Sequence, residues 1–190
     1  LNTQRADAIK VVDYKSGGKQ FSMDLVRCGL DLQLMLYLEA GLRGFEEAEP
    51  AGAFYYRIGD KDLPVGAEYW KEGELPEPLQ AKMEREYRMQ GFFLDDADIV
   101  GSIDGDVSAG ESSSVINLRI TQKNIYSSNQ SIKASDFDPF RADFIGKVES
   151  ICARIVSGII DANPAYFPNK FDACEYCEYR SICCFENSIE

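Results

Sequence analysis

Ten residues, Ile9-Lys10-Val11-Val12-Asp13-Tyr14-Lys15-Ser16-Gly17-Gly18, constrain the fold of this chain more than any other stretch. Ile9, Val11 and Val12 are β-branched and predict a short buried strand. Ser16-Gly17-Gly18 ends it in a turn. Side chains alternate along a strand, so Asp13 and Lys15 share one face and Tyr14 takes the other. Two readings of that pair stand side by side. It can be an ordinary ion pair on a surface strand. It can also be a carboxylate that holds a divalent metal while the ammonium faces the same reacting group, as at a metal-dependent phosphodiesterase site.

The 190 residues suit one domain, or one domain with a small appendage, and a hydrophobic content of 45% is ample for a core. No apolar run approaches the ~20 residues of a membrane span, and no signal peptide is present. A soluble, cytoplasmic protein is expected. The chain begins at Leu1 without a methionine and reaches its first strand almost at once, so a fragment with missing N-terminal sequence is expected. The net charge of −12 argues against a free-standing DNA binder, because phosphate neutralisation needs a basic surface. It leaves room for a nuclease domain inside a larger machine that holds DNA elsewhere. Histidine is absent, which removes Ser-His-Asp and Cys-His catalysis, His-ligated zinc and His general bases. Carboxylate–metal and cysteine–metal chemistry remain.

The pattern predicts one long helix over Phe21–Ala40, with Ser22 as N-cap and Gly41 or Gly44 as the stop. Leu30, Leu34 and Leu38 form one stripe; Leu25, Leu32 and Leu36 cover another side, so this helix is expected to be buried. Gln33 and Tyr37, four residues apart, share a face. They read either as a helix edge reaching solvent or as a polar pair aimed at the site. A strand is predicted over Ala53–Ile58, an irregular stretch over Pro64–Leu75 and a helix over Glu77–Met89 capped by Gly91. Asp95, Asp96 and Asp98 read as a cap and turn. A strand over Val115–Thr121, a turn-rich connection over Asn124–Asn129 and a short return strand at Ile132 follow, then a last long helix opening at Ser135-Asp136. Cys152 falls on that helix's apolar stripe and reads as core. Gly158 marks its end.

Six cysteines are present: Cys28, Cys152, Cys174, Cys177, Cys183 and Cys184. Cys174, Cys177 and Cys183 are spaced C-x2-C-x5-C, which suits zinc or an iron–sulfur cluster. Buried thiols are the bland alternative. A closed site of either metal kind needs four ligands. Cys184 adjoins Cys183 and points elsewhere, and Cys28 sits on a core helix, so the fourth ligand is expected outside this chain.

Together these motifs resemble the RecB-type branch of the PD-(D/E)xK nucleases, and within it the C-terminal nuclease domains of AddB-type helicase–nuclease proteins. The residues that carry the resemblance are Val11 to Gly17, Gly29 to Leu38, Ala51 to Tyr56, Tyr87 to Gly91 and Cys174 to Cys183. It covers nearly the whole chain. It implies an α/β fold with a restriction-endonuclease-like core, a mixed central sheet flanked by helices, and a C-terminal iron–sulfur segment. The domains would run 1–171 and 172–190, with the Ile9–Tyr14 strand central and 59–109 an insertion-like elaboration. The implied activity is Mg²⁺-dependent DNA exonuclease action in double-strand break repair and recombination, within a heterodimer with an AddA-type partner that uses ATP. Asp13 and the Tyr14 carbonyl would bind Mg²⁺. Lys15 would position water or stabilise charge at the phosphate. Gln33 and Tyr37 look like the family's Q-x-x-x-Y motif. Cys174, Cys177 and Cys183 would be three ligands of a [4Fe–4S] cluster.

Two departures stand out. The family's first metal-binding Asp lies in a G-x-I-D-R-x-D stretch upstream of D-Y-K, and Asp7 is too close to be that residue. The family's fourth cluster cysteine is likewise missing. The fragment alone is therefore expected to cleave poorly. Alternatives are the iron–sulfur exonucleases of CRISPR adaptation, which the long span from Tyr37 to Cys174 disfavours, a non-catalytic DNA- or partner-binding module, and a zinc-binding structural domain.

Overall fold

The computed structural model describes residues 7–45, 47–59, 77–121, 126–167, 171–175 and 177–183. They fall into two compact units, Leu1–Lys147 and Val148–Glu190. The irregular stretch expected over Pro64–Leu75, Asn124 and Cys184 lie outside the described residues.

The first unit is built on β1 (Ala8–Lys15), the strand read from the β-branched run. The helix that follows is two helices, α1 (Met23–Arg27) and α2 (Gln33–Gly44), where one was expected. Gly29 makes the break. Its φ of 83° is one that residues with a Cβ rarely adopt. There its N–H bonds the Val26 carbonyl and the Leu30 N–H bonds the Leu25 carbonyl, the paired bonds of a Schellman motif. The leucine periodicity runs through this turn without marking it. Ser22 takes the N-cap position of α1 with no side-chain capping bond. Leu34 and Leu38 are buried, whereas Leu36 and Tyr37 are exposed, so α2 is buried on one side only.

β2 (Glu49–Arg57) runs parallel to β1, a pairing that needs a crossover, and α1 and α2 supply it. Next come α3 (Glu77–Glu86), β3 (Gln90–Leu94), α4 (Ala97–Ile103), the short strands β4 (Arg119–Ile120), β5 (Tyr126–Ser127) and β6 (Ser131–Ile132), and the long helix α5 (Ala134–Val156). The main sheet has the order β1-β2-β3-β6, with β2–β3 antiparallel and β3–β6 parallel, so it is mixed as expected.

Several expectations change. β1 is an edge strand among the described residues, not a central one. Val11 and Val12 are only half-buried, and a β-branched run does not separate an edge strand packed on one face from a central strand. The 59–109 region is no mere insertion, because β3 lies inside the main sheet. Gly91 is not a helix cap but a β3 residue that lets two strands approach; a Cβ there would stand 2.0 Å from the Ala53 carbonyl oxygen. Of Val115–Thr121, the structure keeps as strand the two residues of β4, plus an isolated bridge between Met89 and Ile116. Asp96 caps α4, its Oδ1 accepting from the N–H groups of Asp98 and Ile99 at 2.9 and 3.1 Å, as the aspartate cluster suggested.

Phe92 anchors the core. Its ring lies 5.6 Å from Phe21, 6.5 Å from Phe137 and 6.3 Å from Phe140, which ties β3 to α5. A polar clamp joins the same helix to α2: Arg141 Nε and Nη2 donate to Glu39 Oε2 and Oε1 at 2.6 and 2.9 Å. Glu39 is buried, and the Arg141 hydrogen bonds, with a further one from Arg43, hold its carboxyl below the usual glutamate range against the opposing effect of burial.

In the second unit α5 ends in another Schellman turn at Gly158, as the sequence indicated. Cys152 is exposed there, not core, and Cys28 in the first unit is exposed at the C-cap of α1. Helical spacing alone set Cys152 on a buried stripe, but the buried side chains of α5 are Phe137, Phe140 and Phe144. The antiparallel pair β7 (Tyr166–Phe167) and β8 (Phe171–Asp172) and the one-turn α6 (Arg180–Cys183) are the last described elements. Among the described residues no helix is long and apolar enough to cross a membrane.

Candidate active site

The C-terminal end of β1 carries the first of the expected site residues. Alternation sets Asp13 and Lys15 on one face, and Lys15 Nζ lies 2.8 Å from Asp13 Oδ2. Tyr14 points to the other face, 63% exposed, edge-on to Tyr56 with ring centres 5.9 Å apart. Gln33 is the first residue of α2, so the break at Gly29 delivers it beside the strand end. Lys15 Nζ donates to Gln33 Oε1 at 2.7 Å, and Gln33 Nε2 donates to the Tyr37 hydroxyl oxygen at 2.9 Å. Asp13, Lys15, Gln33 and Tyr37 thus form one continuous chain of contacts. The Gln33 amide is oriented by it, carbonyl to the lysine and nitrogen to the tyrosine. Because Tyr37 accepts from Gln33, its own proton is directed elsewhere, on a side chain half exposed to solvent.

The parallel register adds residues that the sequence pattern alone did not mark. Asp13 stands opposite Tyr55 and Lys15 opposite Arg57, on the same face of the sheet. The Tyr55 ring lies under Lys15 at the end of β1 and Lys19 in the loop after it, 5.2 Å from Lys15 Nζ and 5.1 Å from Lys19 Nζ. Its hydroxyl donates to Asp31 Oδ1 at 2.8 Å, and Lys19 Nζ pairs with the same oxygen at 3.0 Å. Burial, then the hydrogen bond and charge of Asp31, push the Tyr55 phenol well above the usual tyrosine range, so it stays a donor. One signal could have found Asp31: it is the lone acid in Leu30-Asp31-Leu32, where the flanking residues are apolar.

The donor set gives partial support for a metal. Asp13 Oδ2 is buried and has no aligned hydrogen-bond donor, despite its ion pair with Lys15. An oxygen in that condition suits a hard cation. Among the described residues no three His, Cys, Asp or Glu side chains converge into a group that could hold a metal ion, and this applies both to Asp13 and to the cysteines. Cys174, Cys177 and Cys183 lie on consecutive turns: the Cys177 N–H bonds the Cys174 carbonyl and the Arg180 N–H bonds the Cys177 carbonyl. Cys183 ends α6, its N–H on the Tyr179 carbonyl.

Residues 1–184 match the PD-(D/E)XK nuclease superfamily. The chain belongs to that superfamily. Among its relatives are proteins named as the B-type component of an ATP-dependent helicase/deoxyribonuclease. The one from Clostridium perfringens (strain SM101 / Type A) is 29% identical over 197 residues and the one from Alkaliphilus oremlandii (strain OhILAs) 31% over 196, each covering 100% of this chain. That of Thermoanaerobacter sp. (strain X514) is 30% identical over 187 residues, 96% of the chain. The chain spans 16% of the length of each. The superfamily and the AddB-type likeness read from D-Y-K, Gln33 and Tyr37 are therefore borne out.

Proposed function

We propose that the chain is the Mg²⁺-dependent DNA exonuclease module of an AddB-type helicase–nuclease, working beside an AddA-type partner in double-strand break repair and recombination. The observation that carries the reading is the unbroken contact chain from Asp13 through Lys15 and Gln33 to Tyr37, on a superfamily scaffold. Asp13 Oδ2 and the Tyr14 carbonyl would hold the cation, with further ligands from elsewhere in the parent protein or from substrate phosphate. Mg²⁺ bound there would activate water and neutralise charge on the phosphate. Lys15 orients the attacking water and offers a cation to the phosphate oxygens. Gln33, fixed by Tyr37, keeps the ammonium aimed. Asp31, through Tyr55, supports it from beneath.

The cysteine segment is proposed as three-quarters of a structural iron–sulfur site, on the strength of its C-x2-C-x5-C spacing in a chain without histidine. The test of the activity uses the full-length parent complex. Asp13→Ala and Lys15→Ala should each abolish Mg²⁺-dependent degradation of linear DNA and leave ATP-driven unwinding intact. Full cleavage by the Lys15→Ala complex would overturn the assignment.

A further inference from the structure

Beside Lys15 lies a cleft of about 170 Å³ whose walls concentrate positive charge. Lys15, Lys19, Arg57, Arg85 and Arg88 line it, against Glu86 as the one acid among the described lining residues. Five of the chain's 20 lysines and arginines thus meet in one small cavity of a protein with a net charge of −12. The elements that bring them together are distant in sequence: the β1 turn, the end of β2, and α3 with the residues after it. Such convergence against the overall charge focuses a positive field where an anion would sit.

Two details point to an anion. Arg88 Nε is buried with no hydrogen-bond acceptor, and burial followed by the charge of Arg85 holds its guanidinium below the usual arginine range. Gly18 leaves room beside the Arg57 guanidinium, since a Cβ there would stand 3.2 Å from Arg57 Nη1. A second cavity, of about 420 Å³, shares Gln20 and Gln90 with the first. Its walls carry amides together with the charged pairs Arg27 and Lys133, Asp95 and Asp136, and Gln130 Oε1 there is buried and without a donor while its Nε2 donates to Gln90.

We propose that the cationic cleft seats a backbone phosphate of a single nucleic-acid strand, the neighbour of the phosphate presented to Lys15, and that the strand continues past Gln90 into the second cavity. The proposal rests on the nuclease reading and adds to it the class of substrate and its path. A volume of this size admits one phosphodiester and excludes a duplex. Phosphate contacts fix register without reading sequence.

The test is binding without cleavage. The full-length parent, in EDTA and without nucleotide, is titrated with fluorescein-labelled oligo(dT) and read by fluorescence anisotropy across a salt series. Arg85 is exposed on α3, so Arg85→Gln and Arg85→Glu should melt like the wild type. Arg85→Glu should weaken binding about tenfold and reduce the slope of log K against log salt by about 0.7, the value for one contact on a single strand. Arg85→Gln should fall between. Arg119→Glu makes the same charge change at an exposed β4 residue outside the cleft lining and should leave the affinity within about twofold. The proposal is overturned if the wild type does not bind, if Arg85→Glu leaves affinity and slope unchanged, or if Arg119→Glu loses as much. It is also overturned if duplex DNA or inorganic phosphate displaces oligo(dT) as well as unlabelled oligo(dT) does. Binding is read without metal, so a complex that failed to cleave with Lys15 intact would sink the nuclease reading while leaving these outcomes legible.

Discussion

Removing the Arg141 guanidinium while keeping its aliphatic stem tests what holds α2, and with it Gln33 and Tyr37, in place. Arg141→Met deletes two charge-assisted hydrogen bonds of 2.6 and 2.9 Å to Glu39. It leaves a carboxylate only 8% exposed with Arg43 alone, whose side chain is 69% exposed. Breaking a fully buried pair costs about 3–5 kcal/mol, and an exposed pair is worth about 0–1 kcal/mol. The Arg141 side chain is 33% exposed, so this pair lies between the limits and the substitution should cost about 2 kcal/mol. Followed by far-UV circular dichroism, the urea midpoint should fall by roughly 1 M at an unchanged slope of about 2 kcal/mol per M. Replacing both partners, Glu39→Met with Arg141→Met, should restore part of the loss, because no charge is then left buried. A cost below about 0.5 kcal/mol for Arg141→Met would place the pair with exposed ones and refute the reasoning.

The same clamp has a pH signature. Glu39 keeps its carboxyl depressed in the folded state, chiefly through the Arg141 hydrogen bonds, so as pH falls the unfolded chain takes up this proton first. Its contribution is whole above the ordinary glutamate value of about 4.3 and is lost as pH falls from there through the lower folded value. Arg141→Met should therefore be less sensitive to acid than the wild type across that window.

Gly29→Ala forces a Cβ onto a φ of 83° and should cost about 1–2 kcal/mol by thermal melting; an unchanged melting temperature would show that the turn relaxes freely. Tyr37→Phe removes the oxygen that accepts from Gln33 and should lower DNA cleavage by the parent complex roughly ten- to a hundredfold without altering the fold. Equal cleavage rates would mean that Gln33 needs no support. In the same parent, Cys174→Ala, Cys177→Ala and Cys183→Ala should each lose iron and the visible absorbance of a cluster, whereas Cys28→Ala and Cys152→Ala should keep both; a colourless, zinc-containing wild type would replace the iron assignment.

The residues of the contact chain were legible because each obeys a local period. Asp13 and Lys15 follow the two-residue alternation of a strand, and Gln33 and Tyr37 the four-residue step of a helix. That the two pairs touch was legible only through the family resemblance, since nothing local relates a strand end to a helix start. The edge position of β1 and the inclusion of β3 in the main sheet depend on pairing between strands far apart in sequence, about which alternation is silent. Gly29 was hidden by leucines that keep helical spacing on both sides of a turn. Tyr55, Asp31 and the cationic cleft were missed for the same reason: they form only once β1 and β2 are set in parallel register.

The double support of Lys15 acquires a meaning on the proposed reading. In the resting arrangement its ammonium is shared between Asp13 Oδ2 at 2.8 Å and Gln33 Oε1 at 2.7 Å. A divalent cation on Asp13 Oδ2 would weaken the hold of that oxygen on the lysine, because the two positive charges repel. A lysine held by its carboxylate alone would then swing away on its flexible stem. Here two other groups retain it, the Gln33 carbonyl, braced by Tyr37, and the face of Tyr55, braced by Asp31. The ammonium keeps donor capacity beyond its bond to Gln33, and it borders the cleft where the other four cations converge. The arrangement thus turns a resting ion pair into a cation poised for phosphate, with no rearrangement required of the backbone.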